Sequence, residues 1–89
     1  MGRTKREEVK ISDPQLKPLV ANLVANVRAR RSKLGHSQQS LAMEAGLAVN
    51  TIAEIEQERI EDIRLSTVTA LARAFKEKNP LKLLQKPRK

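Results

Sequence analysis

The sequence predicts an all-α fold, a compact four- to five-helix bundle. Three observations predict it. Apolar residues recur at spacings of three and four through residues 16–78, the period of a helix face. Gly35, Gly46 and the Asn79-Pro80 pair interrupt that period where helices must stop. No stretch alternates apolar and polar residues as a half-buried strand does, and no internal repeat is present.

The elements follow in order. Residues 1–13 show no sustained period and read as a flexible basic arm. Arg6 stands where N-myristoylation needs Ser or Thr. Pro14 and Pro18 suit a first helical turn. The first helix then runs to Leu34, with Leu16, Val20, Leu23, Val27, Arg31 and Leu34 on one face, and Gly35 ends it. Ser37 caps a second helix, 38–45, with His36 and Leu41 placed as a weak staple across its start. Gly46 stops that helix, and a third, 48–57, buries Ile52 and Ile55. After a polar, acidic loop, Ser66 caps a fourth helix with Val68, Leu71, Ala72 and Phe75 inward. Pro80 starts a short fifth helix, 81–85. The expected organisation is an arm (1–13), a domain (14–85) and a basic tail (86–89).

Composition excludes several classes of function. The 89 residues suit one small domain. At 39% hydrophobic and 31% charged, the chain is too apolar for a disordered segment and too polar for a membrane span. No apolar run exceeds three residues, and no signal-peptide pattern opens the chain. Cysteine is absent, which removes disulfides, thiolate zinc sites and cysteine nucleophiles, and is compatible with a reducing cytosol. With one His, no transition-metal cluster is expected, and no cofactor. With no Trp, no Tyr and one Phe, stacking recognition of single-stranded RNA is not expected either. No Ser-His-Asp arrangement, metal-ligand spacing or Gly-rich phosphate loop supports an enzyme, and His36 reads as a loop or staple residue.

The net charge of +8 points to a polyanionic partner, and its distribution says more. Residues 1–36 carry +6, residues 37–63 carry −5, and residues 64–89 carry +7. Positive flanks bracket an acidic centre.

Residues 38–57, QQSLAMEAGLAVNTIAEIEQ, hold the pattern that carries function. Two short helices meeting steeply across a tight turn need a small side chain at their closest approach, and Ala42 sits there. The turn needs a residue with positive φ, which Gly46 supplies. Leu41, Leu47, Ile52 and Ile55 fill the angle from inside. The third helix is left with Val49, Asn50, Ala53 and Glu54 on its outer face. Met43 lies beside the apolar face and reads as packing.

This segment resembles the helix-turn-helix of the phage-repressor and Cro (XRE-like) family, a lambda-repressor-like DNA-binding domain. The likeness runs from about Leu23 to Phe75. It includes Val27-Arg28-x-x-Arg31-x-x-x-Gly35, Ser37-Gln38-x-x-Leu41-Ala42, Gly46-Leu47, Ile52-x-x-Ile55-Glu56 and Leu71-Ala72-x-Ala74-Phe75. The resemblance implies sequence-specific binding of double-stranded DNA as a homodimer that regulates transcription, with the third helix in the major groove. By position, Val49, Asn50, Ala53 and Glu54 would face base edges. Thr51 would lie near the sugar-phosphate wall, and Gln38 would bond a phosphate or brace a base-reading side chain. Asn can bond adenine N6 and N7, Val and Ala can pack on thymine methyls, and Glu can accept from cytosine N4. The family also implies an ion pair between Arg31 and Glu56. An antitoxin-type regulator is a close variant that adds a toxin as protein partner.

Three positions or groups depart from the family pattern. Ala48 replaces the usual Ser or Thr cap of the third helix, at a cost of about 1 kcal/mol. Glu58 replaces a helix-closing Gly, so the third helix is expected to run on toward Arg59 or end less sharply. Residues 38–57 contain three acids and no base, so phosphate anchoring falls to Arg28, Arg30, Lys33, Arg59, Arg64 and the tails. Glu61 and Asp62 stand where relatives often place bases. The acidic centre also motivates an alternative, a protein-interaction module that kept the fold and lost DNA. Leu81, Leu83 and Leu84 either close the domain or form a homodimer seam. Arg3, Lys5 and Arg6 form either a solubilising tail or a minor-groove arm.

Overall fold

Four α-helices and a 3₁₀ turn form around a common core in the computed structural model, which describes residues 14–60 and 62–87. The helices are α1 (Leu16–Leu34), α2 (Gln38–Ala45), α3 (Val49–Glu56) and α4 (Leu65–Ala74). The 3₁₀ segment Pro80–Leu84 follows. No strand is present among the described residues. The readings of the 1–13 arm, of Glu61 and of the last two tail residues lie outside the described residues.

The core forms where the apolar stripes of the helices meet. Leu23, Val27, Leu41, Ile52, Ile55, Val68 and Leu71 are all but inaccessible to solvent, and Ala42 and Phe75 join them. Helix α2 packs on α3 and α4, while α1 packs on α3 and on the 3₁₀ segment. Leu83 of that segment is 0% exposed and sits inside the same core, with Leu84 half-buried against it. These two leucines therefore close the domain and do not form a free seam, whereas Leu81 remains 56% exposed. Leu34 is also not on the inner face, being 52% exposed. It is the last residue of α1, and the chain turns away at Gly35 before another element covers it.

A buried asparagine on α1 holds the 3₁₀ segment in place. Asn26 Nδ2 donates to the carbonyls of Asn22 (2.9 Å), Leu83 (3.0 Å) and Gln85 (2.8 Å). One of its two hydrogens is therefore shared. Asn22 Nδ2 adds a bond of 2.9 Å to the Leu84 carbonyl. A buried polar group keeps its place only when so satisfied.

Each α-helix ends in the same six-to-one closure. The amides of His36, Leu47, Arg59 and Glu77 bond the carbonyls of Arg31, Ala42, Glu54 and Ala72. The residue before each of these amides takes positive φ: Gly35 (75°), Gly46 (72°), Glu58 (60°) and Lys76 (61°). An added Cβ at either glycine would meet nothing within 4 Å, so backbone conformation and not space calls for glycine there. Glu58 adopts the left-handed conformation that glycine would otherwise supply. Helix α3 consequently stops at Glu56 and does not run on toward Arg59.

Helix starts differ more. Ser37 caps α2 through Ser40, each side chain accepting from the other's backbone amide at 3.0 and 3.2 Å. Helix α4 begins at Leu65, with Arg64 rather than Ser66 at its N-cap, since the amides of Thr67 and Val68 already bond the Arg64 carbonyl. Ser66 lies inside the first turn, where its carbonyl accepts from the Thr69 hydroxyl at 3.0 Å.

Candidate nucleic-acid interface

The turn between α2 and α3 sets how α3 is presented. Ala42 is buried at the helix approach, Gly46 turns the chain, and Leu41, Ile52 and Ile55 fill the angle. Leu47 packs partly buried against them. With Ile52 and Ile55 committed inward, the opposite face of α3 is left to solvent. Val49 is 46% exposed, Asn50 and Glu54 are exposed, and Ala53 is half-buried. These four side chains lie one turn apart on one face. Asn50 Nδ2 lies 3.4 Å from Glu54 Oε2, a long hydrogen bond that leaves most of the amide's capacity open.

Helix α3 is held at its far end by a cluster of charges. Arg31 Nε donates to Glu56 Oε2 at 2.6 Å, and Arg31 Nη2 donates to Oε1 at 2.9 Å. Arg31 Nη1 also bonds the His36 carbonyl at 3.0 Å. Gln38 Nε2, at the start of α2, donates to Glu56 Oε1 at 2.9 Å. Arg28 donates to the Glu56 backbone carbonyl, at the negative end of the α3 dipole. One buried carboxylate thus ties three helices together. Burial pushes the Glu56 carboxyl up, but the bonds from Arg31 and Gln38 and the charges of Arg31 and Arg28 hold it below the usual glutamate range. The same bond raises the Arg31 guanidinium.

The proposed phosphate anchors separate into two sets. Arg59 and Arg64 are exposed on the loop after α3, and Thr51 is half-buried in a shallow recess with Ile63, Arg64 and Thr67. Arg28 reaches the end of α3, with Glu58 4.0 Å away. Lys33 and Arg30 do not join them. Two residues along a helix turn the side chain by about 200°, so Arg28 and Asn26 point to opposite sides of α1. Lys33, two turns from Asn26, lies on the Asn26 side with the 3₁₀ segment, and Arg30 pairs there with Glu77 at 2.9 Å. Gln38 is bound to Glu56, so it braces α3 through that carboxylate.

Met43 is 76% exposed on α2 and packs on no core element, against the reading of it as packing. His36 Nδ1 meets Ser40 Oγ at 2.7 Å, which anchors the turn before α2. Asn22 and Asn26 had no signal in the sequence, because the carbonyls they bond at residues 83–85 lie about sixty residues away.

A family model described as "Helix-turn-helix" matches residues 27–83. The chain belongs to the XRE-type helix-turn-helix family. The match begins within α1 and ends in the 3₁₀ segment, so the helix-turn-helix domain includes the buried Leu83. This family consists of DNA-binding regulatory domains and is not typically enzymatic, so the chain is a DNA-binding helix-turn-helix of the regulatory kind. Searches of curated proteins and of solved structures found no match. No helix among the described residues of this helix-turn-helix protein is long and apolar enough to cross a membrane.

Proposed function

We propose that this helix-turn-helix protein is a sequence-specific transcription regulator of the bacterial cytosol that reads the DNA major groove with α3. The observation that carries this reading is the outward face of α3: Val49, Asn50 and Glu54 stand exposed while Ile52, Ile55 and Glu56 are buried on the other side. Asn50 offers a bidentate amide for adenine, Val49 and Ala53 offer apolar contact for thymine methyls, and Glu54 offers an acceptor for cytosine N4. Arg59, Arg64, Arg28 and Thr51 contact phosphates beside the helix. Gln38 acts by bracing α3 through Glu56, to which it donates at 2.9 Å. The uncapped start of α3 at Ala48 leaves backbone amides without a side-chain acceptor, and such amides suit a phosphate.

The active form in this reading is a homodimer on a pseudo-palindromic operator, with half-sites about one helical turn apart. Leu81 is the exposed one of the three C-terminal leucines and supports a seam at that end of the domain. Selection of bound duplexes from a random pool tests the whole reading. The expected result is an enriched motif with two-fold symmetry, and enrichment of no motif at moderate salt would end it. An enriched motif without symmetry would retire the homodimer alone.

One observation favours a second reading, a protein-interaction module. Residues 38–57 carry three carboxylates and no cation, which opposes a phosphate backbone. That reading expects no motif from the same selection and no change in residual DNA affinity on Asn50→Ala.

A further inference from the structure

We propose that the groove between the C-terminal half of α1 and the 3₁₀ segment docks an acidic, amphipathic peptide segment of a partner protein. The groove holds about 580 Å³, within the range of small-ligand clefts. It lies on the side of α1 opposite Arg28 and Arg31, the two residues that bond α3. The order through the molecule is therefore the outer face of α3, its core face, α1, and then this groove. A duplex seated on α3 leaves the groove free, so the inference stands whether or not α3 reads DNA.

Charge complementarity names the occupant. Lys33, Lys82 and Lys86 line the groove and are exposed. None of them forms an ion pair among the described residues. The carboxylate in the groove, Glu77, is engaged by Arg30 at 2.9 Å and by the Asn79 amide at 3.2 Å. Arg30 and the three lysines against Glu77 leave the groove strongly positive. Leu34 supplies apolar surface to the same groove, which the buried Phe75 also lines. Leu34 is half exposed at the C-terminal end of α1. A phosphate backbone has no use for that apolar floor. A peptide that sets carboxylates beside a leucine-like side chain uses both features, with the carboxylates on the lysines and the apolar group over Leu34.

The test is an NMR titration of the full chain with a synthetic peptide of repeating Glu-Glu-Leu-Leu units. Parallel titrations use the same peptide with every Leu replaced by Ser, and a random duplex. The inference expects saturable binding of the Leu peptide with shifts at Lys33, Leu34, Lys82 and Gln85. It expects binding to weaken by about tenfold in a Lys82→Glu/Lys86→Glu variant, as the loss of two partly exposed pairs implies. The variant is expected to stay folded, with an amide spectrum like the parent's outside the groove. Absence of saturable binding overturns the proposal, as does equal binding of the Ser peptide, which would mean charge attraction without a groove. Peptide shifts centred on Val49 and Asn50 overturn it by showing that the acidic peptide merely occupies the DNA-reading face. Duplex-induced shifts in the groove, with lower duplex affinity of the variant, reassign it to DNA phosphates.

Discussion

Arg31 on α1 and Glu56 at the end of α3 meet through two side-by-side hydrogen bonds of 2.6 and 2.9 Å. The same carboxylate receives Gln38 from the start of α2, so one ion pair fixes the relative placement of both helix-turn-helix segments and α1. Its Glu56 member is almost fully buried, with the Arg31 side chain about three-quarters so. Removing one member leaves the other without a counter-charge in a place that water reaches poorly. Arg31→Met is therefore expected to cost about 3–5 kcal/mol. Arg31→Met with Glu56→Leu should cost less than Arg31→Met alone, because no orphan charge remains. Urea unfolding of the three proteins checks both statements.

Acid should weaken the domain through Glu56. Its carboxyl is held below the usual range in the folded state, so it binds a proton less readily there than in the unfolded chain. The stability this contributes is complete above the unfolded value of about 4.3. It is lost as pH falls through the lower folded value. Unfolding free energy measured against pH should fall on that acid limb, and Glu56→Gln should flatten the limb while lowering stability near neutrality.

Asn26 should behave as a structural clamp. Asn26→Ala removes the donor to the Leu83 and Gln85 carbonyls and should cost about 2–3 kcal/mol. Amide exchange of residues 80–85 is expected to accelerate more than that of α3, because the lost bonds lie at the C-terminal segment. Uniform acceleration across the domain would argue against a local clamp.

Glu58 and Lys76 carry positive φ without being glycine. Side chains in that conformation cost about 1–2 kcal/mol, and glycine recovers most of it less its own entropy loss. Glu58→Gly and Lys76→Gly should each stabilise by about 0.5–1 kcal/mol. Glu58 also loses a 4.0 Å contact with Arg28, but both side chains are largely exposed and such a pair is worth little. Thermal melts of the two variants and their combination check the sign and the additivity.

The helical architecture was legible because the stripe through Leu23 and Val27, the glycines at 35 and 46 and the apolar plug of Leu41, Ile52 and Ile55 are local signals. What escaped depends on distant partners. The role of Asn26 is invisible beside α1 alone, since polar residues in a helix ordinarily face water and its acceptors are backbone atoms. The burial of Leu83 depends on how the 3₁₀ segment folds back on α1 and α4. The side on which Lys33 falls follows from that same packing. The abrupt end of α3 at a glutamate shows the closing hydrogen bonds winning over side-chain preference. At the candidate interface, spacing alone put Val49, Asn50 and Glu54 on one face, but the binding of Gln38 and Arg28 to Glu56 required the assembled cluster.

The measurement that bears most directly on α3 as the reading element is the affinity of the parent and Asn50→Ala proteins for the selected duplex and for each of its single-base variants. The account predicts that Asn50→Ala loses about 1–3 kcal/mol on the selected duplex. It also predicts that discrimination disappears at one or two base positions and persists at the others. Identical affinities of the two proteins at every position would contradict it.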